Sequence, residues 1–318
     1  MGFEIDIIIW LQNFRSVFTD AVFEFFTMFG EEEILIVLLG YIYWCYDKKL
    51  GELLGITIFI SLGLNSFLKL IIARPRPFMV DNRIVNVRPS TSGGYSLPSG
   101  HTQTAATTYF SLYFNTNRKR IMLILAIVIT TLVAISRMYL GVHYLTDVLL
   151  GGALGIGLAY GFSRVSKNKE LIKNLYKYLL WLTLVALVGL TIYYVLINID
   201  ELGNFDSDTF ILGMESLAKM MGTLFGFCLA IIYEDKKVKF VNHKNIKNNI
   251  IRFVLGITII LATRFALKFI FGIIVDAESS DLSIPMAILA ILLDFIRYFA
   301  MLFIGIGLYP KLFKKFNI

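Results

Sequence analysis

Hydrophobic and polar positions along this chain alternate on the scale of whole helices. Apolar runs long enough to cross a bilayer, roughly 20 residues each, fall at about 31–46, 51–72, 100–116, 120–140 and 143–164. Four more follow at about 177–198, 209–233, 250–275 and 284–309. Residues 3–28 break the pattern. Asp6, Gln12, Asn13, Arg15, Asp20 and Glu24 interrupt them, while Ile7, Ile8, Trp10, Leu11, Phe14, Phe18, Val22 and Phe25 recur near helical spacing. That is the pattern of an amphipathic helix lying in the membrane interface, with a further span as the alternative. The chain is therefore expected to be all-α, a polytopic helical membrane protein. A six-helix core fills residues 1–165, its first helix interfacial, and four additional transmembrane helices fill 166–318.

Composition sharpens this reading. Hydrophobic residues make up 57% of the 318 positions and charged residues only 17%, against about 25% in soluble domains. The net charge of +7 would suit nucleic acid if its cations formed one patch, but they sit in short connectors between apolar runs. Lys48-Lys49, Arg118-Lys119-Arg120, the stretches 164–177 and 236–247, and the tail Lys311/Lys314/Lys315 are basic. The connectors 199–208 (Asp200, Glu201, Asp206, Asp208) and 276–283 (Asp276, Glu278, Asp281) hold no lysine or arginine. The positive-inside rule puts the basic set in the cytoplasm and the acidic set outside. No nucleic acid is expected as a partner; the bilayer is. The acidic start, Glu4 and Asp6, lacks the basic region of a signal peptide, so insertion is expected to use the internal spans. Cys45 and Cys228 lie singly in apolar runs, the setting of buried small side chains rather than a metal or redox pair.

Three polar islands interrupt the apolar runs, all at the predicted outer ends of their spans. The first is Lys69 with Arg76-Pro77. Pro75 and Pro77 end the helix between the two cations, which puts Arg76 in the loop above it. Lys69 alone would read as a snorkelling side chain, but Asn65 one turn below extends a polar stripe. The second is Pro98-Ser99-Gly100-His101, where a loop enters a helix. Ser99 can cap, Gly100 lets the backbone approach a ligand, and free N–H groups make an anion site beside His101. The third is Ser136-Arg137 with His143 and Asp147. A carboxylate four residues after a histidine can hold one ring nitrogen and leave the other basic and nucleophilic. Arg137 has the fork that binds phosphate in two places, and Gly141 marks a bend between them.

In order, K-x6-R-P (Lys69, Arg76, Pro77), P-S-G-H (98–101) and S-R-x5-H-x3-D (Ser136, Arg137, His143, Asp147) resemble the three-part signature of the type 2 phosphatidic acid phosphatase superfamily. Lipid phosphate phosphatases, undecaprenyl pyrophosphate phosphatases, glucose-6-phosphatase and vanadium haloperoxidases belong to it. The resemblance covers roughly residues 30–165, and every signature position is filled. It implies a two-step phosphoryl transfer without metal or cofactor. His143, oriented by Asp147, would attack phosphorus; His101 would protonate the leaving oxygen and then activate water. Lys69, Arg76, Arg137, Ser99 and the Gly100 N–H would hold the phosphoryl oxygens. Phosphoryl transfer needs mainly in-line positioning and cationic stabilisation, which this set supplies, and no acidic cluster in the sequence offers a metal site.

The expected activity is that of a lipid phosphate phosphatase acting on a phosphomonoester or pyrophosphate lipid at the extracytoplasmic face of the cell membrane. Two other readings stand beside it: a phosphotransferase with an acceptor other than water, and a transporter or binding protein that only holds lipid phosphate. Arg88 and Tyr95, in the loop 83–96, are candidates for contacting the headgroup. Glu215, Lys219, Arg264, Lys268, Asp294 and Arg297 fall within later spans, where ionisable groups are paired or functional. They are expected to form either interhelical ion pairs or a polar cavity, with Arg264 and Lys268 as headgroup or acceptor contacts. Oligomeric state is not legible.

Overall fold

The computed structural model describes residues 2–117, 119–196, 204–275, 284–316 and 318. Among them every regular element is helical: α1 (Gly2–Gln12), α2 (Val17–Thr27), α3 (Glu32–Tyr41), α4 (Lys48–Ile72), α5 (Pro77–Val80), α6 (Gly100–Asn115), α7 (Arg120–Tyr139) and α8 (Leu145–Val165). Then come α9 (Lys169–Leu196), α10 (Asn204–Tyr233), α11 (Ile246–Ile274), α12 (Ile284–Leu302) and α13 (Lys311–Lys315). The protein is a multi-pass helical membrane protein. Of the two acidic connectors, 199–203 and 276–283 lie outside the described residues, and 204–208 open the backbone of α10.

Among the described residues, seven helical stretches are long and apolar enough to cross a membrane. They are Lys48–Val80, Arg120–Tyr139, Leu145–Val165, Glu170–Tyr193, Thr209–Val238, Ile246–Ile274 and Pro285–Lys315. Two of the nine runs expected from the sequence fall short. The run at 31–46 is α3 followed by a wide helical turn at Ile42–Tyr46, and 15 residues reach only about 22 Å. The run at 100–116 is α6, 16 residues long and rich in threonine. Its Thr102, Gln103, Thr104, Thr107, Thr108 and Ser111 are all buried, so α6 faces other helices rather than lipid.

Residues 3–28 fold as two helices instead of one. Ser16 ends the segment between them by accepting the Thr19 N–H while the Thr19 hydroxyl takes the Ser16 N–H, a reciprocal cap. Eleven residues extend about 16 Å, half a hydrocarbon core, so neither α1 nor α2 crosses alone.

The chain divides into two compact units that interleave in sequence. The first comprises Met1–Leu35, Ile60–Lys167 and Asp208–Gly213. Here α6 packs against α8 at backbone distance. A Cβ at Gly155 would lie 2.5 Å from the Gln103 carbonyl oxygen, and one at Gly151 would lie 2.6 Å from that of Ser99. Only glycine permits this approach, as in other membrane helix pairs with small residues four apart. On the opposite side α4 meets α6 through a buried polar ladder. Asn65 donates to the Pro98 carbonyl and to Gln103 Oε1, and Gln103 donates to the Ser61 carbonyl. The Ser61 and Thr107 hydroxyls pair at 2.8 Å. Helix α1 buries Ile5 and Ile8 against Ile84, Met138, Tyr144 and Val148.

The second unit comprises Ile36–Phe59, Asn168–Ser207 and Met214–Ile318. It claims the chain around Trp44 because that indole is fully buried and donates to the Gly305 carbonyl, while its ring fills the space beside Gly40 and Gly256. Cys45 and Cys228 are buried as free thiols. Within this unit Glu215, Lys219, Asp294 and Arg297 form one ion-paired chain: Lys219 meets Glu215 and Asp294 at 3.1 Å each, and Arg297 meets Asp294 at 2.6 Å. Arg264 is half-buried and Lys268 exposed. One expectation is corrected here. An acidic cluster does exist, since Glu52, Glu234 and Asp235 bring their oxygens within 4.8 Å of one another, although 182 positions separate the first two. The Lys48 ammonium sits among them, in contact with all three.

The glycine contacts make a stability prediction. Gly155→Ala should lower the thermal midpoint in detergent by the equivalent of about 1–3 kcal/mol, the cost of overpacking. Gly161→Ala, on the same helix with nothing within 4 Å of its Cβ position, should not. Equal midpoints for the two variants would refute the close approach.

Candidate active site

The three islands meet at one end of the first unit, and the loop 83–96 closes over them. Each cation is anchored by neutral oxygens. Lys69, in the last turn of α4, donates to the Tyr95 carbonyl at 2.7 Å. Arg76 lies in extended backbone after that helix and donates to the carbonyls of Gly93, Gly94 and Val142 at 2.7, 2.9 and 3.0 Å. Arg137, in the last turn of α7, donates to the Thr91 carbonyl and to the hydroxyls of Thr91 and Thr27. Its Nε is buried without a partner. All three guanidinium or ammonium groups are thus fixed, yet none of these bonds cancels a charge.

His143 is buried between a carboxylate and a cation. Its Nδ1–H donates to Asp147 Oδ2 at 3.2 Å, and Nε2 faces the Arg76 guanidinium at 3.3 Å. The pair does not share a helix, as the spacing implied. His143 precedes α8 and Asp147 stands in its first turn, where Oδ2 also accepts the Tyr144 N–H at 3.0 Å. That geometry needs the bend at Gly141, whose φ is +77° and whose Cβ would collide with the Val85 carbonyl. Burial first, then Arg76, Lys69 and Arg137, push the His143 ring well below its usual pKa. That shift favours the neutral imidazole, with a free lone pair.

Ser99 occupies the position before α6, but its hydroxyl pairs with Thr102 Oγ1 at 3.0 Å instead of capping a backbone N–H. Its own N–H donates to the Asp147 carbonyl at 3.0 Å, tying the starts of α6 and α8 together. Gly100 backs onto Asn65, and His101 points Nε2 toward Glu31 Oε1 at 3.5 Å. Arg88 is paired with the same Glu31 at 2.5 Å, and Tyr95 is buried while its carbonyl holds Lys69. Arg264 and Lys268 belong to the second compact unit.

Three residues joined to this site carry no motif signal. Arg74 donates to Asp147 Oδ1 at 2.9 Å and to Glu4 Oε2 at 2.8 Å, and stacks on the Tyr144 ring. Glu4 in turn accepts the N–H and hydroxyl of Thr146. Burial raises the Glu4 pKa, but the Thr146 and Arg74 bonds outweigh it and hold the carboxyl below its usual range. Glu31 is the third. A second arginine two residues before Arg76 was visible in the sequence; Glu4 and Glu31 looked like ordinary acids at the ends of helices.

The site is a bundle of fixed cations and two histidines set at the end of apolar helices. Residues 51–171 match the family model for the PAP2 superfamily. Residues 218–318 match that for the PAP2 superfamily phosphatase transmembrane extension. The chain belongs to the PAP2 superfamily, the type 2 phosphatidic acid phosphatases. It is similar to phosphatidylglycerophosphatase B of Bacillus subtilis, 38% identical over 40% of this chain and 63% of that one. It also resembles a "Probable sphingosine-1-phosphate phosphatase" of Dictyostelium discoideum, 30% identical over 46% of this chain and 39% of that one. The chain thus spans less than two thirds of either relative. A crystal structure of a transmembrane PAP2-type phosphatidylglycerolphosphate phosphatase from Bacillus subtilis is 30% identical, with a TM-score of 0.45, over 52% of this chain and 85% of that one.

Arg74 makes a second prediction. Arg74→Gln removes the cation between Asp147 and Glu4, so kcat for any substrate of this site should fall by on the order of 10²-fold through misplacement of His143. Arg83→Gln, which breaks an exposed pair with Asp81, should leave kcat unchanged. Normal turnover by Arg74→Gln would show that Asp147 is positioned without it.

Proposed function

We propose that this protein is a membrane lipid phosphatase that removes a phosphomonoester or pyrophosphate group through a phosphohistidine intermediate. The observation that carries the reading is His143, with Nδ1 held by Asp147 and the Nε2 lone pair directed into a group of three fixed cations. An incoming phosphoryl oxygen takes the Arg76 N–H from Nε2 and leaves the lone pair to phosphorus. Lys69, Arg76, Arg137 and the backbone at Ser99–Gly100 hold the equatorial oxygens as charge moves toward the leaving group. His101 gives the departing oxygen its proton and afterwards takes one from the attacking water. The cations stand where other phosphoryl-transfer sites place magnesium, and the reaction needs no metal.

A lipid substrate is favoured over a soluble phosphate by the site's place at the end of spanning helices. Helices α1 and α2 also expose Phe3, Trp10, Val17, Phe18 and Phe25, which suits contact with the interface. The relatives' names point to two different headgroups, a phosphatidylglycerol phosphate and a sphingoid phosphate, so the substrate class here is lipid phosphate. The charge of the connectors supports an extracytoplasmic site.

Purified protein should release orthophosphate from phosphatidate, phosphatidylglycerol phosphate, sphingosine phosphate or undecaprenyl pyrophosphate in the presence of EDTA. His143→Ala should abolish both turnover and an acid-labile, base-stable phosphoenzyme seen by rapid quench. Activity that EDTA removes and magnesium restores would overturn the metal-free mechanism. A phosphoenzyme formed normally by His143→Ala would overturn the nucleophile. For orientation, cysteines placed at 199–208 or 276–283 should react with an impermeant thiol reagent on intact cells, and cysteines at 236–247 should not.

A further inference from the structure

Two histidines face this site, and each has its own carboxylate. Asp147 serves His143. The partner of His101 is Glu31, contributed by a distant segment just after α2, with Oε1 at 3.5 Å from Nε2. Glu31 is not loosely placed. The turn Met28–Gly30 sits against α6, where a Cβ on Gly30 would be 2.5 Å from the His101 carbonyl oxygen. The Tyr109 hydroxyl holds that turn by donating to the Phe29 carbonyl at 3.3 Å. Arg88 then grips the carboxylate itself, NH1 to Oε1 at 2.5 Å and NH2 to Oε2 at 3.3 Å. The Glu31 and His101 side chains are 12% and 18% exposed, so water screens the pair poorly.

The charges around His101 explain why such a partner is needed. Burial first, then Arg137 and Lys69, lower the His101 ring to about 3, with Glu31 acting in the opposite direction, and Arg88 stands beyond Glu31. Both cations oppose a protonated imidazole, yet a general acid has to carry its proton in the substrate complex, where the bound phosphate adds negative charge of its own. Glu31 is the carboxylate that offsets them: an opposite charge within about 4–6 Å favours the charged form of its neighbour. Arg88 holds Glu31 in place.

We propose that Glu31 is the positioning residue of the leaving-group acid: it faces His101 Nε2 and favours the imidazolium form against the surrounding cations. This rests on the phosphohistidine reading above. In the first step the bond from His143 Nε2 to phosphorus forms and the bond from phosphorus to the lipid oxygen breaks. The His101 proton passes to that oxygen, leaving a neutral ring beside Glu31. In the second step water attacks phosphorus, gives its proton to His101, and the bond to His143 breaks to release orthophosphate. Glu31 gains and loses no proton. Arg88, expected from the sequence to read the headgroup, serves here as the anchor of the carboxylate.

The test exploits leaving groups. An alkyl lipid phosphate needs its oxygen protonated as it departs, whereas p-nitrophenyl phosphate does not. Glu31→Gln should lower kcat/KM for the lipid by about 10- to 100-fold, a share of the roughly 10²–10⁴-fold that general acids supply. For p-nitrophenyl phosphate the loss should stay below about threefold, and that retained turnover also shows that the variant folds. Glu31→Asp, which keeps the charge, should recover part of the lipid activity. Adding Glu31→Gln to His101→Ala should cost nothing further, because residues acting as one unit are not additive. Equal losses on both substrates, or independent losses in the double variant, would overturn the role of Glu31. Wild-type protein that turns over neither substrate, or His143→Ala that turns over both, would instead sink the phosphatase reading itself.

Discussion

Everything in the first unit is arranged around three like charges that must stay close together without being neutralised. Two unit charges 4 Å apart repel by about 4 kcal/mol at the effective dielectric of a protein surface. A protein ordinarily relieves that with carboxylates. Here the relief comes from carbonyl and hydroxyl oxygens: Thr91, Gly93, Gly94 and Tyr95 in one loop, with Val142 and Thr27 from elsewhere. These dipoles fix the cations and soften their repulsion but leave the net charge in place for a phosphoryl dianion. The acids sit on the flanks, Asp147 on one histidine and Glu31 beside the other.

The loop that supplies those oxygens has little regular structure, so something must hold its shape. Helix α1 does much of this. Gln12 accepts the Val85 N–H, and its amide donates to the carbonyls of Val85 and Tyr139, bridging loop and α7. Ile84 is buried against Ile5 and Ile8. Asp81 and Arg83 close the loop's start at 2.7 Å, and Ser92 is tied to Asn86 and Pro89. The amphipathic segment read from the sequence as an interfacial helix is thus also the brace of the carbonyl cradle. Two of the three polar residues of α1, Glu4 and Gln12, bond to protein, while Asp6 is exposed.

What was legible in the sequence is what chemistry confines to short spacings. The helical class followed from run lengths, and Lys69, Arg76, His101, Arg137, His143 and Asp147 stood out because cations and histidines are rare in apolar runs. What was not legible depends on contacts between distant segments. Glu31 follows an unremarkable glycine, and nothing local tells it from Glu32 or Glu33. Arg74 and Arg76 look equivalent in Arg-Pro-Arg-Pro, yet one holds an acid and the other faces the lone pair of His143. Helix α6 reads weakly by hydropathy for a related reason. A helix surrounded by helices can carry threonines and a glutamine where partners are at hand, as Gln103 finds Ser61 and Asn65.

The packing of α6 on α8 links this architecture back to the chemistry. His101 begins one helix and His143 with Asp147 begins the other, so the distance between the two histidines is set by how closely those helices meet. Gly151 and Gly155 reduce that distance to backbone contact, and the Ser99 N–H to Asp147 carbonyl bond fixes the register at the top. A nucleophile and a proton donor must bracket a single phosphorus atom, and misplacement by 1 Å can cost roughly a hundredfold in rate. Side chains between two helices could repack and drift by that much. Glycine against a carbonyl cannot, so here a membrane packing motif also sets the spacing of His101 and His143.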